Sequence, residues 1–254
     1  MRKEPPFRLH LDEVSLDLFR HTKNYLSANI IYGIVTLFAL PIITRILTPA
    51  GYGQVALFLS IVSGLTIILG SGLSSAIKIN DIKETYDKRV YLSSAVNVLL
   101  ISNIIITGLL LVFQTQIINA LKIPNELLII AIISSFLNSI ISVHLKLTQV
   151  RKQSVEHNII YTIQESSIPL LSIGVILLFP TLGYLGWTIS TLIIYFLLAI
   201  LSLYINYKNY CLKNISLIIF YILSFTIALV VYKIGYGFDP FIHEATLKAI
   251  NKLG

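Results

Sequence analysis

Seven apolar runs, each near or beyond the roughly 20 residues that a helix needs to cross the hydrocarbon of a bilayer, constrain this chain more than any motif in it. They lie at about 25–47, 54–77, 90–113, 127–147, 158–179, 185–205 and 215–234. Polar, charged or turn-forming breaks separate them, among them 48–53, 78–89, 148–157 and 180–184. Inside hydrocarbon a backbone N–H or C=O finds no water, so a spanning segment satisfies its own groups as a helix or joins a closed barrel. Barrel strands alternate polar and apolar residues over about ten positions; these runs are longer and do not alternate. The chain is therefore expected to be all-α, a polytopic transmembrane helix bundle of about seven spans. Its charge content agrees, since only 12% of its residues are Asp, Glu, Lys or Arg, about half of what a soluble domain carries.

Basic residues set the orientation, because short loops rich in Lys and Arg stay on the cytoplasmic side. With the N-terminus inside, fourteen of the 19 Lys and Arg residues fall in inner segments, and five, Arg45, Lys122, Lys233, Lys248 and Lys252, fall outside. The predicted location is the inner (plasma) membrane, multi-pass, with a cytoplasmic N-terminus. The same asymmetry accounts for the net charge of +7, so no nucleic-acid partner is needed to explain it. Cys211 is the single cysteine, which excludes an intramolecular disulfide and a cysteine metal cluster. Residues 1–23 carry Asp12, Glu13 and Asp17 and have no small-residue cleavage site, unlike a cleaved signal peptide. Leu11, Val14 and Leu18 share a helical face there, which fits a short helix on the membrane surface; a flexible tail fits equally.

Between the first two runs lies Arg45-Ile46-Leu47-Thr48-Pro49-Ala50-Gly51-Tyr52-Gly53. Residues 48–53 read as a tight outer hairpin, with Pro49 fixing its φ and Gly51 and Gly53 permitting turn geometries that other residues resist. Arg45, just inside the outer boundary, either snorkels to the headgroups or faces an internal cavity and holds an anion. Several spans also carry polar stripes at helical spacing: Ser60, Ser63, Gly64, Ser71, Ser74 and Ser75 in the second; Ser93 and Asn97 in the third; Ser135, Asn138, Ser139 and Ser142 in the fourth; Thr162, Glu165, Pro169 and Ser172 in the fifth. Small and hydroxylated residues mediate close helix packing, but four stripes together also suit a hydrated centre.

Glu165 stands out. A carboxylate at that depth must be protonated, paired or facing water, and protonation on one side with release on the other would make it an ion-coupling residue. Pro41 and Pro169 each remove an intrahelical hydrogen bond and are candidate hinges. His144 and His157 have no ligand cluster around them in the sequence, so no metal site is expected. Nor does a phosphate-binding glycine loop appear, and no cofactor is expected.

The stretch Leu40-Pro41-Ile42-Ile43-Thr44-Arg45-Ile46-Leu47-Thr48-Pro49-Ala50-Gly51-Tyr52-Gly53, continued by Leu57 to Val62 and Leu69 to Ala76, resembles the first hairpin and second span of the polysaccharide (O-antigen type) flippases. These belong to the multidrug/oligosaccharidyl-lipid/polysaccharide exporter superfamily. The resemblance covers about 20–207. It implies a helical transporter, not an enzyme, that carries a lipid-linked oligosaccharide from the inner to the outer leaflet, and it makes membrane lipids its other partner. Members resemble two six-helix lobes around a central cavity. By that measure the chain divides into an N-terminal segment 1–23, one exporter-like lobe 24–207, and an extra span with an outer tail, 208–254. One lobe implies a homodimer, a separate partner lobe, or a truncated form. A pyrophosphate-bearing substrate makes Arg45 the expected phosphate ligand, with Asn97 and Asn138 on the polar stripes as further substrate-binding candidates.

The tail reads differently. Gly235 to Thr246, with Asp239, His243 and Glu244, is similar to the outer segment after the first span of multi-span glycosyltransferases that use lipid-linked sugars. An amphipathic interfacial helix is the plainer reading. The competing functional readings are thus a fragment or subunit of such a glycosyltransferase, resting on Asp239, and a non-transporting half-protein that needs a partner.

Overall fold

The computed structural model describes residues 7–68, 79 and 88–210. Among the described residues there is no strand. The elements are α1 (Phe7–Ile46), α2 (Pro49–Thr66), α3 (Lys88–Val112), α4 (Gln114–Leu121), α5 (Asn125–Val150), α6 (Ser154–Leu178), a one-turn 3-10 helix (Pro180–Leu182) and α7 (Tyr184–Tyr210). Four of the described helices are long and apolar enough to cross a membrane: Thr22–Ile46, Asn125–Val150, Ser154–Leu178 and Tyr184–Asn206. A fifth crossing exists if Ile101–Val112 and Gln114–Leu121, bent by 69° at Phe113, are one broken span. These correspond to the first, third, fourth, fifth and sixth apolar runs. The second run continues past the described part of α2, and the seventh lies outside the described residues. The chain is an all-α membrane protein.

Without a hydrophobic force between helices in lipid, packing and interhelical hydrogen bonds hold such a bundle together. α5 is the hub, with 83% of its most apolar window buried. It packs on α7 and α2 and, less extensively, on α6, while α6 packs between α1 and α7. Gly186 lets α6 and α7 pack tightly: a Cβ there would lie 2.6 Å from Ile176 Cγ1. Around that end, Ala39 and Ile43 of α1, Leu47 just after it, Val55 of α2 and Ile176 of α6 form an apolar core with Trp187 and Tyr184 against it.

The α1–α2 corner differs from the hairpin that the sequence suggests. The break is only Leu47 and Thr48. Thr48, at φ −65° and ψ 155°, is an N-cap whose Oγ1 accepts from the Gly51 N–H at 3.1 Å, and Pro49 takes the first helical position. Both choices satisfy a helix start. Gly51 and Gly53 are inside α2 and neither has positive φ. A Cβ on Gly51 would stand 3.2 Å from the capping Thr48 Oγ1. Close approach to the cap, not turn geometry, is what this glycine provides. Positive φ occurs at Lys122, Lys152 and Gly183, where α4, α5 and the 3-10 turn end. α1 runs unbroken through residue 23, so the N-terminal segment from Phe7 on and the first span are one helix.

Candidate functional site

A belt of polar side chains crosses the middle of the bundle. Thr66 Oγ1 on α2 donates to its own Val62 carbonyl at 2.7 Å and accepts from Asn138 Nδ2 on α5 at 3.3 Å. Asn138 Oδ1 in turn accepts from Gln164 Nε2 on α6 at 3.0 Å. Gln164 also lies within reach of Tyr195 on α7, a side chain only 6% exposed. Three helices are thereby hydrogen bonded through amide and hydroxyl groups, with Tyr195 of the fourth beside them. Glu165, next along α6 and half-buried, lies within electrostatic reach of Tyr161 and Tyr195, and both of those lie within reach of Tyr32 on α1. Pro169, buried in α6, has no N–H to give to the carbonyl four residues earlier. That carbonyl belongs to Glu165, so the belt's one carboxylate sits where the helix backbone also has an acceptor without its usual donor.

The other stripes separate into two kinds. On α5, Ser135 and Ser139 are fully buried and donate to their own helix, to Ile132 O at 2.8 Å and Phe136 O at 2.7 Å. Ser172 on α6 does the same toward Ile168 O at 2.6 Å. These hydroxyls allow close helix contact. On α2, by contrast, Ser60, Ser63 and Gly64 are exposed, and nothing lies within 4 Å of where a Gly64 Cβ would be. Ser60 Oγ also donates to its own helix, to Ala56 O at 2.8 Å, and the described helices leave this face, which Leu59 and Ile67 share, uncovered.

Of the residues singled out in the sequence, Asn138 is part of the belt and Glu165 adjoins its Gln164 along α6. Arg45 does not join them: it is exposed in the last turn of α1, where its charge also complements the negative end of the helix dipole. Asn97 is exposed on α3, and none of the described belt hydrogen bonds reaches it. Pro41 is exposed on α1. Asp239, His243, Glu244, Ser71, Ser74 and Ser75 lie outside the described residues. Among the described residues no group of three His, Cys, Asp or Glu side chains could hold a metal ion. Gln164 and Tyr195 were missed in the sequence. An amide beside a carboxylate within an apolar run is the signal that could have found Gln164; Tyr195 resembles any interfacial tyrosine until its depth is known.

A family model described as polysaccharide biosynthesis protein matches residues 19–252. The chain belongs to this family. Membership places it in polysaccharide biosynthesis and agrees with a membrane bundle of apolar helices. The match continues through residue 252, past the 20–207 over which the flippase resemblance was read, so the same family covers the tail that carries Asp239. Neither a curated protein nor a solved structure matches the chain.

Proposed function

We propose that this member of the family moves a lipid-linked oligosaccharide across the inner membrane, with its N-terminus cytoplasmic, and does no chemistry on the glycan. The observation that carries the reading is the uncovered polar face of α2. Ser60, Ser63 and Gly64 sit within an apolar helix, have no neighbour over Gly64, and are followed toward the middle of the bundle by the Thr66–Asn138–Gln164 belt. Such a face suits water and sugar hydroxyls better than acyl chains. A second lobe, supplied by another copy of this chain or by a partner, would close it. Arg45 would bind the substrate phosphate, Asn97 and Asn138 the glycan, and Glu165 would couple transport to an ion. Pro41 and Pro169 would be the bending points.

In vesicles reconstituted with a fluorescent lipid-linked oligosaccharide, Arg45→Ala and Glu165→Gln are each expected to slow leaflet exchange about tenfold, the worth of one charge-assisted hydrogen bond. In a Cys211→Ser background, cysteine at Ser63 should react with a water-soluble maleimide while cysteine at Phe38 should not. Unchanged exchange in both variants removes the two residue assignments. An inert Ser63 position removes the cavity.

A further inference from the structure

At the end of the bundle that carries the α5–α6 connection, three helices meet at one imidazole. His144 of α5 is 1% exposed. Its Nδ1 lies 3.0 Å from Oδ1 of Asn206 on α7, and its Nε2 lies 3.4 Å from Oε1 of Glu156 on α6. Neither Nε2 nor that Oε1 has a hydrogen-bond partner. An amide oxygen only accepts, so Nδ1 carries a hydrogen. Nε2 of a neutral ring would then aim a lone pair at a carboxylate oxygen in a buried place, where two facing acceptors are costly. One proton on the line between them resolves this, whether written as imidazolium with carboxylate or as imidazole with carboxylic acid.

A route to that proton is also present. Glu156 is 28% exposed and lines a cleft of about 690 Å³ whose polar rim includes Asn24, Lys152, Gln153 and Ser154.

We propose that His144 Nε2 and Glu156 Oε1 together form a binding site for one exchangeable proton, reached through this cleft, and that the bound proton latches the start of α6 to α5 and α7. Losing it sets lone pair against carboxylate and opens this end of the bundle. The surrounding groups are set for such a role. From α5 come Lys146, exposed, and Thr148, whose Oγ1 is 3.4 Å from His157 Nδ1. From α6 comes His157, 3.1 Å from the Leu145 carbonyl and stacked on Tyr161. Arg151 and Lys152 occupy the connection, Lys208 lies on α7, and Lys23 on α1. α1 is tied to the same corner by Asn24 Nδ2 donating to Ser154 Oγ at 2.9 Å. His157 is a second imidazole at this corner, but its Nδ1 faces the Leu145 carbonyl and Thr148 Oγ1 and no carboxylate, so the facing acceptors that one proton would reconcile are those of His144 and Glu156. This inference rests on the bundle alone and holds whatever the cargo.

The test uses the full chain in lipid nanodiscs, Cys211→Ser, with spin labels at the exposed positions Val155 and Tyr204. Distances are measured between about pH 5 and pH 9, which brackets the range of about pH 5 to 8 in which an imidazole ordinarily changes charge. The native pair should give one short, narrow distance at the acid end and a longer, broader one at the basic end. Glu156→Gln places an amide N–H against Nε2, mimics the protonated carboxyl, and should hold the short distance throughout. Glu156→Ala should show the long distance throughout. Nitrogen-15 histidine spectra, with the His144 signal identified by its loss in His144→Gln, should show Nε2 protonated at the acid end and bare at the basic end. A pH-invariant distance in the native pair overturns the proposal, as does an unaltered response in Glu156→Gln. So does an Nε2 that keeps its hydrogen at the basic end, which would mean that Asn206 presents its Nδ2 to the ring.

Discussion

α1 and α5 have nearly the same mean hydropathy over their spans, 2.0 and 2.1, yet 17% of the α1 window is buried against 83% of the α5 window. In water such a pair could not exist, because the hydrophobic effect would hide both. In a bilayer, apolar surface meets apolar solvent, and hydropathy reports only that a helix is immersed. What decides burial is the distribution of polar and small groups. α5 carries Ser134, Ser135, Ser139, His144 and Thr148, all buried. The outward face of α1 instead presents Leu26, Ile30, Ile34, Leu37 and Phe38, all more than half exposed. Lipids suit that face without further help.

The comparison can be broken by truncating equivalent side chains. Leu137 on α5 is 1% exposed and Leu37 on α1 is 69% exposed. Leu137→Ala should give the largest effect, about 2–5 kcal/mol of lost stability from the cavity it opens, followed by Trp187 fluorescence during unfolding in mixed micelles. Next comes the belt. Asn138→Leu removes the link between Thr66 and Gln164 and should cost about 1 kcal/mol, the usual worth of an interhelical hydrogen bond in a membrane protein. The smallest effect belongs to Leu37→Ala, expected within about 0.5 kcal/mol of the native chain. If Leu37→Ala instead costs as much as Leu137→Ala, another protein surface covers α1, and the contrast between the two helices belongs to half of an assembly.

The same contrast explains what the sequence could disclose. Spans were legible because charged and turn-forming residues are costly in hydrocarbon and rare within it, so the breaks at 48–53, 148–157 and 180–184 were visible from residue type alone. The exact form of the first break was not. Glycine serves turns and tight contacts alike, and Gly51 and Gly53 were assigned to the former. Thr48-Pro49 held the better signal, an N-cap followed by the residue best suited to the first helical turn. Stripes could be read at helical spacing, but which stripe is covered depends on neighbours. Hence Ser135 and Ser139, buried, and Ser60 and Ser63, uncovered, looked equivalent. The His144 corner was invisible for a further reason: its three members come from three separate spans, and only the packing brings Asn206 and Glu156 to opposite sides of one ring.

One modest feature limits how this bundle can move. Only Arg151, Lys152 and Gln153 separate α5 from α6, and the Gln153 N–H folds back on the Thr148 carbonyl at 2.9 Å with Lys152 at φ 57°. A linker so short has no slack for piston-like travel of one rod past the other. Relative motion of α5 and α6 must therefore be a scissoring about that corner, with the largest excursions near Leu178 and Asn125, while at the corner itself α7 is the rod that can part from them.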